Sequence, residues 1–313
     1  MALSNGKGEP LPFPARYDTI LKESEARGVE AGLVMEGGAM RGMFTAGVID
    51  VFMERGVTFD GAVGVSAGAA FGCNIKSHQI GRVIRYNTRF CRDWRFHSLR
   101  SLLLTGDLYG ADMCYRAIPD ELDPFDYETF RQSSMDFWLV CTDAATGEAV
   151  YHKLETGKGE DMDWIRASAS MPLVSRPVKL DGRALLDGGV ADAIPLRFLE
   201  EQGYPHNVVI LTQPRGYVKQ VNSMLPVMKV ALRRYPGIIR AASVRHDMYN
   251  EETAYVARRE AEGAALVIRP EYPLEVGAAE RDPAKLRAVY EHGRAVAEAR
   301  LPEVEAFSHS GRI

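Results

Sequence analysis

The sequence lacks several features that would assign it to a broad class at once. Its four cysteines include no C-x-x-C pair, which argues against a zinc site and a disulfide framework and favours a reducing compartment. No run approaches the ~18 apolar residues of a membrane-spanning helix. The first residues, MALSNGKGEPLPFPARYDT, contain no apolar core of signal-peptide length. We therefore expect a soluble, cytoplasmic protein.

The charge balance gives no indication of a nucleic-acid partner. The 38 Lys and Arg residues against 42 Asp and Glu give a formal net charge of −4 and a pI near 6.0, so no global attraction to nucleic acid is expected. Hydrophobic residues make up 46% and charged residues 26% of the chain, which is close to globular averages and excludes a disordered or fibrous class. The 313 residues suffice for one large domain or two ordinary ones.

The first half of the chain alternates strand and helix patterns. After a polar, proline-containing lead-in over residues 1–28, AGLVMEGG predicts a buried strand, and the next residues predict a helix that stops at Gly56. FDGAVGVS predicts a second strand, and AGAAFGCNIKS a second helix. Strand, glycine turn, helix and strand again is typical of an α/β fold with a parallel sheet.

The remaining chain continues this pattern and ends in helices. DWIRASAS, PLRFLEEQG and a final segment that begins with Asp282 as N-cap and Pro283 as first residue are predicted helices. We expect one α/β domain with a lead-in (1–28), a catalytic core (29–215) and a helix-rich C-terminal region (216–313) packed on the same domain. Further strands are predicted at 136–143, 149–154, 183–189, 207–213 and in AALVIRP.

A G-x-S-x-G pentapeptide, Gly64 to Gly68, lies between the second predicted strand and its helix. In this setting the motif forms a nucleophile elbow, a strained turn that presents the hydroxyl of Ser66 above the sheet. The helix that follows directs free N–H groups and a positive dipole end towards developing negative charge. The alternative is a glycine turn with an incidental serine. The strand–turn–helix setting favours the elbow.

Two further glycine motifs follow predicted strands. In EGGAMRG, Gly37 and Gly38 can expose backbone N–H groups to an oxyanion or a phosphate, whereas the G-x-G-x-x-G spacing of dinucleotide-binding proteins is absent. In LLDGGVADAIP, Asp187 ends an apolar run and precedes Gly188 and Gly189. A carboxylate at a strand tip and an ordinary Asp-Gly turn both fit this pattern.

Together, G-G-x-x-R-G, G-x-S-x-G and D-G-G in this order resemble the patatin-like phospholipases. ASASMP, residues 167–172, is similar to the alanine-serine-proline segment that precedes D-G-G in that family. The resemblance covers residues 31–215, and three ordered motifs are far more specific than one. It implies a three-layer α/β/α sandwich with a mostly parallel central sheet.

The resemblance also implies a Ser–Asp dyad that hydrolyses lipid esters, phospholipids or lysophospholipids, without a metal or cofactor. Ser66 is the implied nucleophile and Asp187 the implied base, whose pKa burial would raise. Arg41 would steady the glycine loop. The implied oxyanion hole comprises Gly37, Gly38 and Ala39, and the supporting motif glycines are Gly42, Gly64, Gly68, Gly188 and Gly189.

Two alternatives to this function remain at the level of sequence. A general carboxylesterase would need a Ser-His-Asp triad, and four histidines follow Asp187 in the order that an α/β-hydrolase requires. His206, just before a strand, is the best placed, while the others are His246, His292 and His309. A non-catalytic lipid- or acyl-binding protein could retain the same fold, although the presence of all three motifs argues against it.

Two segments raise questions about contact with lipid. Arg82, Arg85, Arg89 and Arg92 recur at helical spacing, so they could meet anionic headgroups of a membrane surface or pair with local acids, which we favour because the chain is acidic. Within residues 97–118, HSLRSLLLTGDLYG could form an apolar flap over an acyl groove or a core strand with turns. We favour core packing.

Overall fold

The computed structural model describes residues 31–309, so the predicted lead-in at residues 1–28 lies outside the described residues. An eight-stranded sheet runs through the centre of this part of the chain. Its strands are β1 (Gly32–Met35), β2 (Gly61–Val65), β3 (Asp136–Asp143), β4 (Ala149–Lys153), β5 (Val178–Leu180), β6 (Arg183–Asp187), β7 (Asn207–Ile210) and β8 (Ala265–Ile268).

Helices lie on both sides of this sheet. In chain order they are α1 (Gly42–Glu54), α2 (Ala67–Lys76), α3 (Arg82–Phe90), α4 (Leu99–Thr105), a π-helical segment (Met113–Leu122), α5 (Tyr127–Gln132), α6 (Glu160–Ser168), α7 (Leu196–Glu201), α8 (Leu225–Ala231), α9 (Pro236–Ala261) and α10 (Pro283–His309). Short 3₁₀ turns lie at Ala39–Arg41 and Gly188–Val190. Across residues 31–309, none of these helices has the length and apolarity needed to span a bilayer.

The sheet is mostly parallel, as the sequence predicts. The hydrogen-bonded path is β5-β6-β3-β2-β1-β7-β8, with β4 also paired to β3. The five strands from β3 to β8 along this path are mutually parallel, whereas β4, β5 and β6 pair antiparallel with their neighbours. Short connections join β3 to β4 and β5 to β6, and helical crossovers join β1 to β2, β2 to β3 and β7 to β8.

Side chains that alternate along each strand pack into two separate hydrophobic cores. Leu33 and Met35 of β1 point into one core together with Phe44 of α1. Val34, between them in sequence, points into the other core together with Val256 of α9. Because successive side chains of a strand face opposite sides of the sheet, both faces need a covering layer of helices. The predicted three-layer α/β/α arrangement is confirmed.

The pairing of β3 brings two distant strand ends together. β4 occupies one edge of β3, where it pairs with Trp138–Thr142. β2 and β6 therefore share the other edge of β3. β2 pairs with residues 136–140 of β3, and β6 pairs with residues 141–143. Val65 pairs with Val140, and Asp187 pairs with the next residue, Cys141. β2 and β6 therefore meet end to end, although more than a hundred residues separate them along the chain.

The region beyond residue 216 contributes to both the sheet and its cover. β8 extends the sheet in register with β7, from Ala265 opposite Asn207 to Ile268 opposite Ile210. α10 packs against α1 on one face, where the backbone of Gly293 approaches that of Phe44 so closely that an added β-carbon would lie 2.1 Å from its carbonyl oxygen. Asp282 caps α10 as predicted, since its carboxylate accepts the Ala284 N–H at 2.9 Å.

The prediction that the leucine run 102–104 packs in the core is wrong. These residues belong to α4, and Leu103 is 86% exposed. Local signals make this segment a helix: the Ser98 hydroxyl accepts the Ser101 N–H at 2.9 Å, and Gly106 ends the helix with a positive φ of 84°. Consecutive leucines of a short helix point in different directions, so they cannot all be buried.

Candidate active site

Ser66 lies on the sharp turn between β2 and α2, as the pentapeptide predicts. Its backbone has φ 55° and ψ −118°, a conformation that non-glycine residues adopt at an energetic cost. The flanking glycines permit the turn through close packing. An added β-carbon at Gly64 would lie 2.3 Å from the Gly68 carbonyl oxygen, and one at Gly68 would lie 2.2 Å from that of Met35. Neither position has room for a side chain.

A buried serine from another element braces this turn. The Ser66 N–H donates to the Ser168 hydroxyl oxygen at 3.0 Å, and that hydroxyl donates to the Val140 carbonyl at 2.6 Å. Ser168 ends α6 and is completely buried. The brace therefore links the elbow to the middle strand β3. Sequence reasoning missed this role, although Ser168 lies within the ASASMP segment.

Asp187 ends β6 and faces the same region as Ser66. Its carboxylate accepts the Gly189 N–H at 2.8 Å, and its carbonyl accepts the Thr142 hydroxyl at 2.8 Å. An added β-carbon at Gly188 would lie 2.1 Å from the Val140 carbonyl oxygen. Any residue larger than glycine at this position would therefore clash with the backbone of β3. The D-G-G motif thus fixes where the carboxylate lies relative to the end of β2.

Ser66 and Asp187 are both buried and line the same cavity. Their exposed fractions are 7% and 6%. Burial raises the pKa of the Asp187 carboxyl above its usual value, while the Ser66 hydroxyl, the Arg245 guanidinium and the Gly189 N–H offset part of this increase by stabilising the carboxylate. A carboxylate with a raised pKa is a better proton acceptor than an exposed aspartate.

The first glycine motif lies beside the elbow. An added β-carbon at Gly37 would lie 3.0 Å from the Ser66 β-carbon, so its backbone approaches the serine closely. Over residues 31–309, the N–H groups of Gly37 and Gly38 make no hydrogen bond to the protein. Ala39 follows with a positive φ of 48°. The loop therefore offers unpaired backbone donors next to a hydroxyl, which is the composition of an oxyanion hole.

Glu36 anchors this loop, a role that the sequence motifs do not reveal. Its buried carboxylate accepts the Thr212 N–H at 2.5 Å and the Tyr249 hydroxyl at 2.8 Å. The Thr212 hydroxyl in turn donates to the Gly37 carbonyl at 3.2 Å. The residue before the glycines is thereby tied to the loop after β7 and to α9. Such ties restrict the movement of the donors at Gly37 and Gly38.

Arg41 and Gly42 complete the motif on the far side of the loop. An added β-carbon at Gly38 would lie 3.2 Å from an Arg41 terminal nitrogen, so the guanidinium lies against the loop, in keeping with the steadying role that the resemblance implies. An added β-carbon at Gly42 would lie 2.8 Å from that of Ala67. The glycine thus lets α1 approach the elbow helix α2.

Two cavities of different character meet at Ser66. The polar cavity, of about 460 Å³, also contains Asp187. The apolar cavity extends in another direction beneath α3 and α6. The polar cavity is further lined by Gly37, Gly38, Ala39, Arg41, Met171, Gly189, Lys219, Arg245 and Tyr249. The apolar cavity is lined by Phe71, Tyr86, Phe96, Ile118, Met162 and Ile165, among others.

Comparison with known families identifies the family of the chain. A family model described as patatin-like phospholipase matches residues 33–199, which is more than half of the 313-residue chain. The chain belongs to the patatin-like phospholipase family. A second model, described as a domain of unknown function (DUF6363), matches residues 235–309. The patatin-like match contains Ser66, Asp187 and the glycine loop, while Lys219 and Arg245 lie beyond it.

Several relatives of this patatin-like chain are known by name. It is 37% identical over 191 residues to the uncharacterized protein YjjU of Escherichia coli, a match that covers 58% of this chain and 52% of the relative. It is 26% identical to an uncharacterized NTE family protein of Mycobacterium bovis over 59% of this chain and 49% of the relative. Lysophospholipase nte1 of Aspergillus niger is 27% identical over 61% of this chain and 12% of the relative. The chain spans about half the length of the first two relatives.

His206, His246 and His292 do not line either cavity of this patatin-like chain. His206 immediately precedes β7, at the amino ends of the parallel strands, whereas Ser66 follows the carboxyl end of β2. It therefore lies at the opposite edge of the sheet. His292 contacts the rings of Phe44 and Tyr272. Within residues 31–308, no histidine lines either the polar or the apolar cavity.

The arginines of α3 have protein partners. Arg82 is buried and donates two hydrogen bonds to the Asp123 carbonyl, at 3.1 and 2.7 Å. Arg85 forms a two-pronged ion pair with the Asp123 carboxylate, at 2.7 and 2.8 Å, and Arg89 donates to the Leu122 carbonyl at 3.0 Å. Arg82 and Arg85 both lie within ion-pair distance of the Asp123 carboxylate, as the favoured pairing with local acids predicts, whereas Arg89 contacts a carbonyl. Contact of the protein with an anionic membrane surface stays a prediction.

Proposed function

We propose that the protein is a lipid acyl hydrolase that cleaves carboxylic esters through a dyad of Ser66 and Asp187. One observation carries this proposal: a hydroxyl on a strained turn and a buried carboxylate line one cavity beside a loop with unpaired N–H donors. These are the nucleophile, the base and the oxyanion donors of acyl transfer. Membership of the patatin-like phospholipase family supports the same chemistry.

In the first half-reaction, the Ser66 oxygen attacks the carbonyl carbon of the ester, and its proton passes to the Asp187 carboxylate. The negative charge that develops on the carbonyl oxygen is held by the N–H groups of Gly37 and Gly38, with Ala39 beside them. When the tetrahedral intermediate collapses, the carbon–oxygen bond to the alcohol breaks, and Asp187 returns the proton to the departing oxygen. The product is an acyl-enzyme on Ser66 and a free alcohol.

In the second half-reaction, water takes the place of the serine hydroxyl. Asp187 accepts a proton from water as the water oxygen attacks the acyl carbon, and the same N–H donors hold the new oxyanion. The bond between the acyl carbon and the Ser66 oxygen then breaks, and Asp187 returns the proton to that oxygen. The free acid leaves, and the enzyme is restored with every proton accounted for.

A carboxylate can replace the histidine of a triad here for two reasons. Burial raises the pKa of Asp187, which makes it a stronger base than an exposed aspartate. The larger part of the acceleration comes from the oxyanion donors, since loss of a single donor typically lowers the rate by about 10²–10³-fold. The general carboxylesterase with a triad lacks support, because His206 lies at the opposite edge of the sheet from Ser66.

The substrate that we propose is a phospholipid or a lysophospholipid. The apolar cavity that opens at Ser66, lined by side chains such as Phe71, Ile118 and Met162, suits a fatty-acyl chain. One relative is named lysophospholipase nte1, and this name supports the substrate class without deciding it. The apolar lining also separates this proposal from a carboxylesterase with a preference for short, polar esters.

Release of fatty acid from purified lysophospholipid tests the proposal. Ser66→Ala should lower kcat at least about 1,000-fold, since it removes the nucleophile, and Asp187→Asn should do the same, since an amide cannot accept the proton. His206→Ala is the control and should retain wild-type turnover. Near-normal activity of Asp187→Asn together with an inactive His206→Ala variant would replace the dyad with a triad.

A further inference from the structure

The polar cavity has a strongly basic wall, which we define as Arg41, Lys219 and Arg245. All three side chains line the cavity that contains Ser66 and Asp187. Lys219 lies between β7 and α8, and Arg245 lies on α9, so both come from the chain beyond the patatin-like match at residues 33–199. The basic wall is therefore largely an addition to the family's catalytic core.

None of the three cations of the basic wall has a carboxylate partner. Over residues 31–309, no carboxylate oxygen lies within salt-bridge distance of any of them. The Arg245 Nε donates to the Gly189 carbonyl, the Lys219 Nζ lies 4.6 Å from the centre of the Tyr249 ring, and the Arg41 Nε is buried without a hydrogen-bond partner. In a chain whose acids outnumber its bases by 42 to 38, three such cations in one cavity require an explanation.

The acidic groups that act on the basic wall already accept hydrogen bonds from the protein, as Glu252 does from the Ala193 and Ile194 N–H groups at 3.2 and 3.0 Å. The Glu36 carboxylate accepts hydrogen bonds from the Thr212 N–H at 2.5 Å and the Tyr249 hydroxyl at 2.8 Å. Asp187 accepts the Gly189 N–H at 2.8 Å and takes up a proton during acyl transfer. The basic wall thus keeps positive charge available to a ligand in the cavity.

Lys219 remains charged at neutral pH despite its partial burial. Burial and the neighbouring Arg245 lower its pKa to about 8, and Arg41 acts in the same direction, whereas Glu36 and Glu252 act against them. A bound anion would relieve this mutual repulsion. Partial burial also strengthens the attraction between the cation and an anion, because less water screens it.

We propose that Lys219 and Arg245, with Arg41 beside them, form a subsite for the phosphate group of the ester substrate. This inference rests on the proposed function and adds to it the part of the substrate that is recognised. Guanidinium groups bind phosphate oxygens through paired hydrogen bonds, and a lysine ammonium contributes a mobile point charge. With the acyl chain in the apolar cavity and the ester carbon at Ser66, the short glycerol bridge of a phospholipid directs its phosphate into the polar cavity.

Kinetics on two esters with the same acyl chain test this subsite. One is a lysophosphatidylglycerol, which carries a phosphodiester, and the other is the matching 1-monoacylglycerol, which does not; both are presented in the same neutral detergent micelles. Wild type should prefer the phosphodiester. Lys219→Met should raise KM for lysophosphatidylglycerol about 10- to 100-fold, while KM and kcat for monoacylglycerol stay within about twofold.

Matched variants separate charge recognition from structural damage. Lys219→Arg should restore most of the affinity for lysophosphatidylglycerol. Arg240→Met removes an exposed arginine side chain of the same helix α9, which donates to the Thr146 carbonyl at 3.3 Å and does not line the polar cavity. This variant should leave both substrates unaffected. Arg245→Met should lower the affinity for the phosphodiester as Lys219→Met does. An equal loss on both substrates in the Lys219→Met variant would overturn the subsite.

The same assay distinguishes failure of the inference from failure of the proposed function. If wild type hydrolyses neither ester, the proposed function fails. If wild type and Lys219→Met hydrolyse both esters equally well, the function stands and the phosphate subsite is wrong. Inorganic phosphate, tested as an inhibitor of monoacylglycerol hydrolysis, shows whether the subsite binds free phosphate or a lipid headgroup. The assignment to a lipid headgroup would be overturned if phosphate inhibits wild type but not Lys219→Met, and wild type shows no preference for lysophosphatidylglycerol.

Discussion

Replacement of Ser168 by alanine removes the buried hydroxyl that holds the nucleophile turn. This hydroxyl accepts the Ser66 N–H at 3.0 Å and donates to the Val140 carbonyl at 2.6 Å. The Ser168 side chain is completely buried, so water cannot readily replace either contact. Ser168→Ala therefore leaves one donor and one acceptor unpaired inside the protein.

The expected effect is large for a single oxygen atom. Each buried polar group left without a partner costs about 1–3 kcal/mol, so with two such groups the free energy of unfolding should fall by about 2–6 kcal/mol. The hydrogen bond from the Ser66 N–H, which helps to hold the backbone at a φ of 55°, is also lost. Since a displacement of about 1 Å at a reacting group can cost about 100-fold in rate, kcat should fall about 10- to 100-fold while KM stays within about twofold.

Ser170→Ala is the matched control for this experiment. Ser170 is also a buried serine, and its hydroxyl donates to the Arg166 carbonyl at 2.7 Å; only its backbone contacts Asp187. It should lose about 1 kcal/mol of stability and retain kcat. Urea unfolding and initial rates of ester hydrolysis measure the two effects. The reasoning is refuted if Ser168→Ala keeps wild-type kcat, or if both variants lose activity equally.

Three further predictions concern the charges around the dyad. Because burial raises the pKa of Asp187 above the usual value of an aspartate, kcat/KM should fall on acidification with a midpoint above that usual value. Arg245→Met should move this midpoint to higher pH, and an unchanged midpoint would contradict the interaction. Since the pKa of Lys219 is about 8, the lysine loses its charge at higher pH. When KM for lysophosphatidylglycerol is measured from pH 6 to pH 9, it should therefore increase once the pH exceeds about 8. A parallel increase for monoacylglycerol would contradict the subsite. Tyr249→Phe removes a donor to Glu36 and should lower kcat severalfold on both esters; an effect confined to the phosphodiester would refute its role in anchoring the loop.

The sequence was sufficient to predict the parts of the site that depend on local patterns. Strands and turns at Ser66 and Asp187 follow from apolar runs that end in glycines, and the carboxyl ends of parallel strands lie at one edge of a sheet. The Gly56 and Asp282 positions that bound α1 and α10 follow from local capping rules. What the motifs alone could not give is the end-to-end meeting of β2 and β6 along β3, because strand pairing over such separations leaves no local signal.

The missed features depend on contacts between distant segments. Ser168 contacts the backbone of Ser66 from 102 positions away, and Tyr249 reaches Glu36 across 213 positions. Neither contact follows from spacing, since each side chain also fits an ordinary helix surface or core. Helical spacing likewise could not indicate that Arg82 is buried against the segment around Asp123. An apolar run such as 102–104 predicts burial only when its element presents one face to the core.

Covalent labelling identifies the nucleophile of the enzyme. The protein is treated with a fluorophosphonate probe, and the labelled peptide is identified by mass spectrometry. The account predicts a single adduct on Ser66, slower labelling of Asp187→Asn and no adduct in Ser66→Ala. An adduct on another residue, or undiminished lipid hydrolysis by Ser66→Ala, would contradict it.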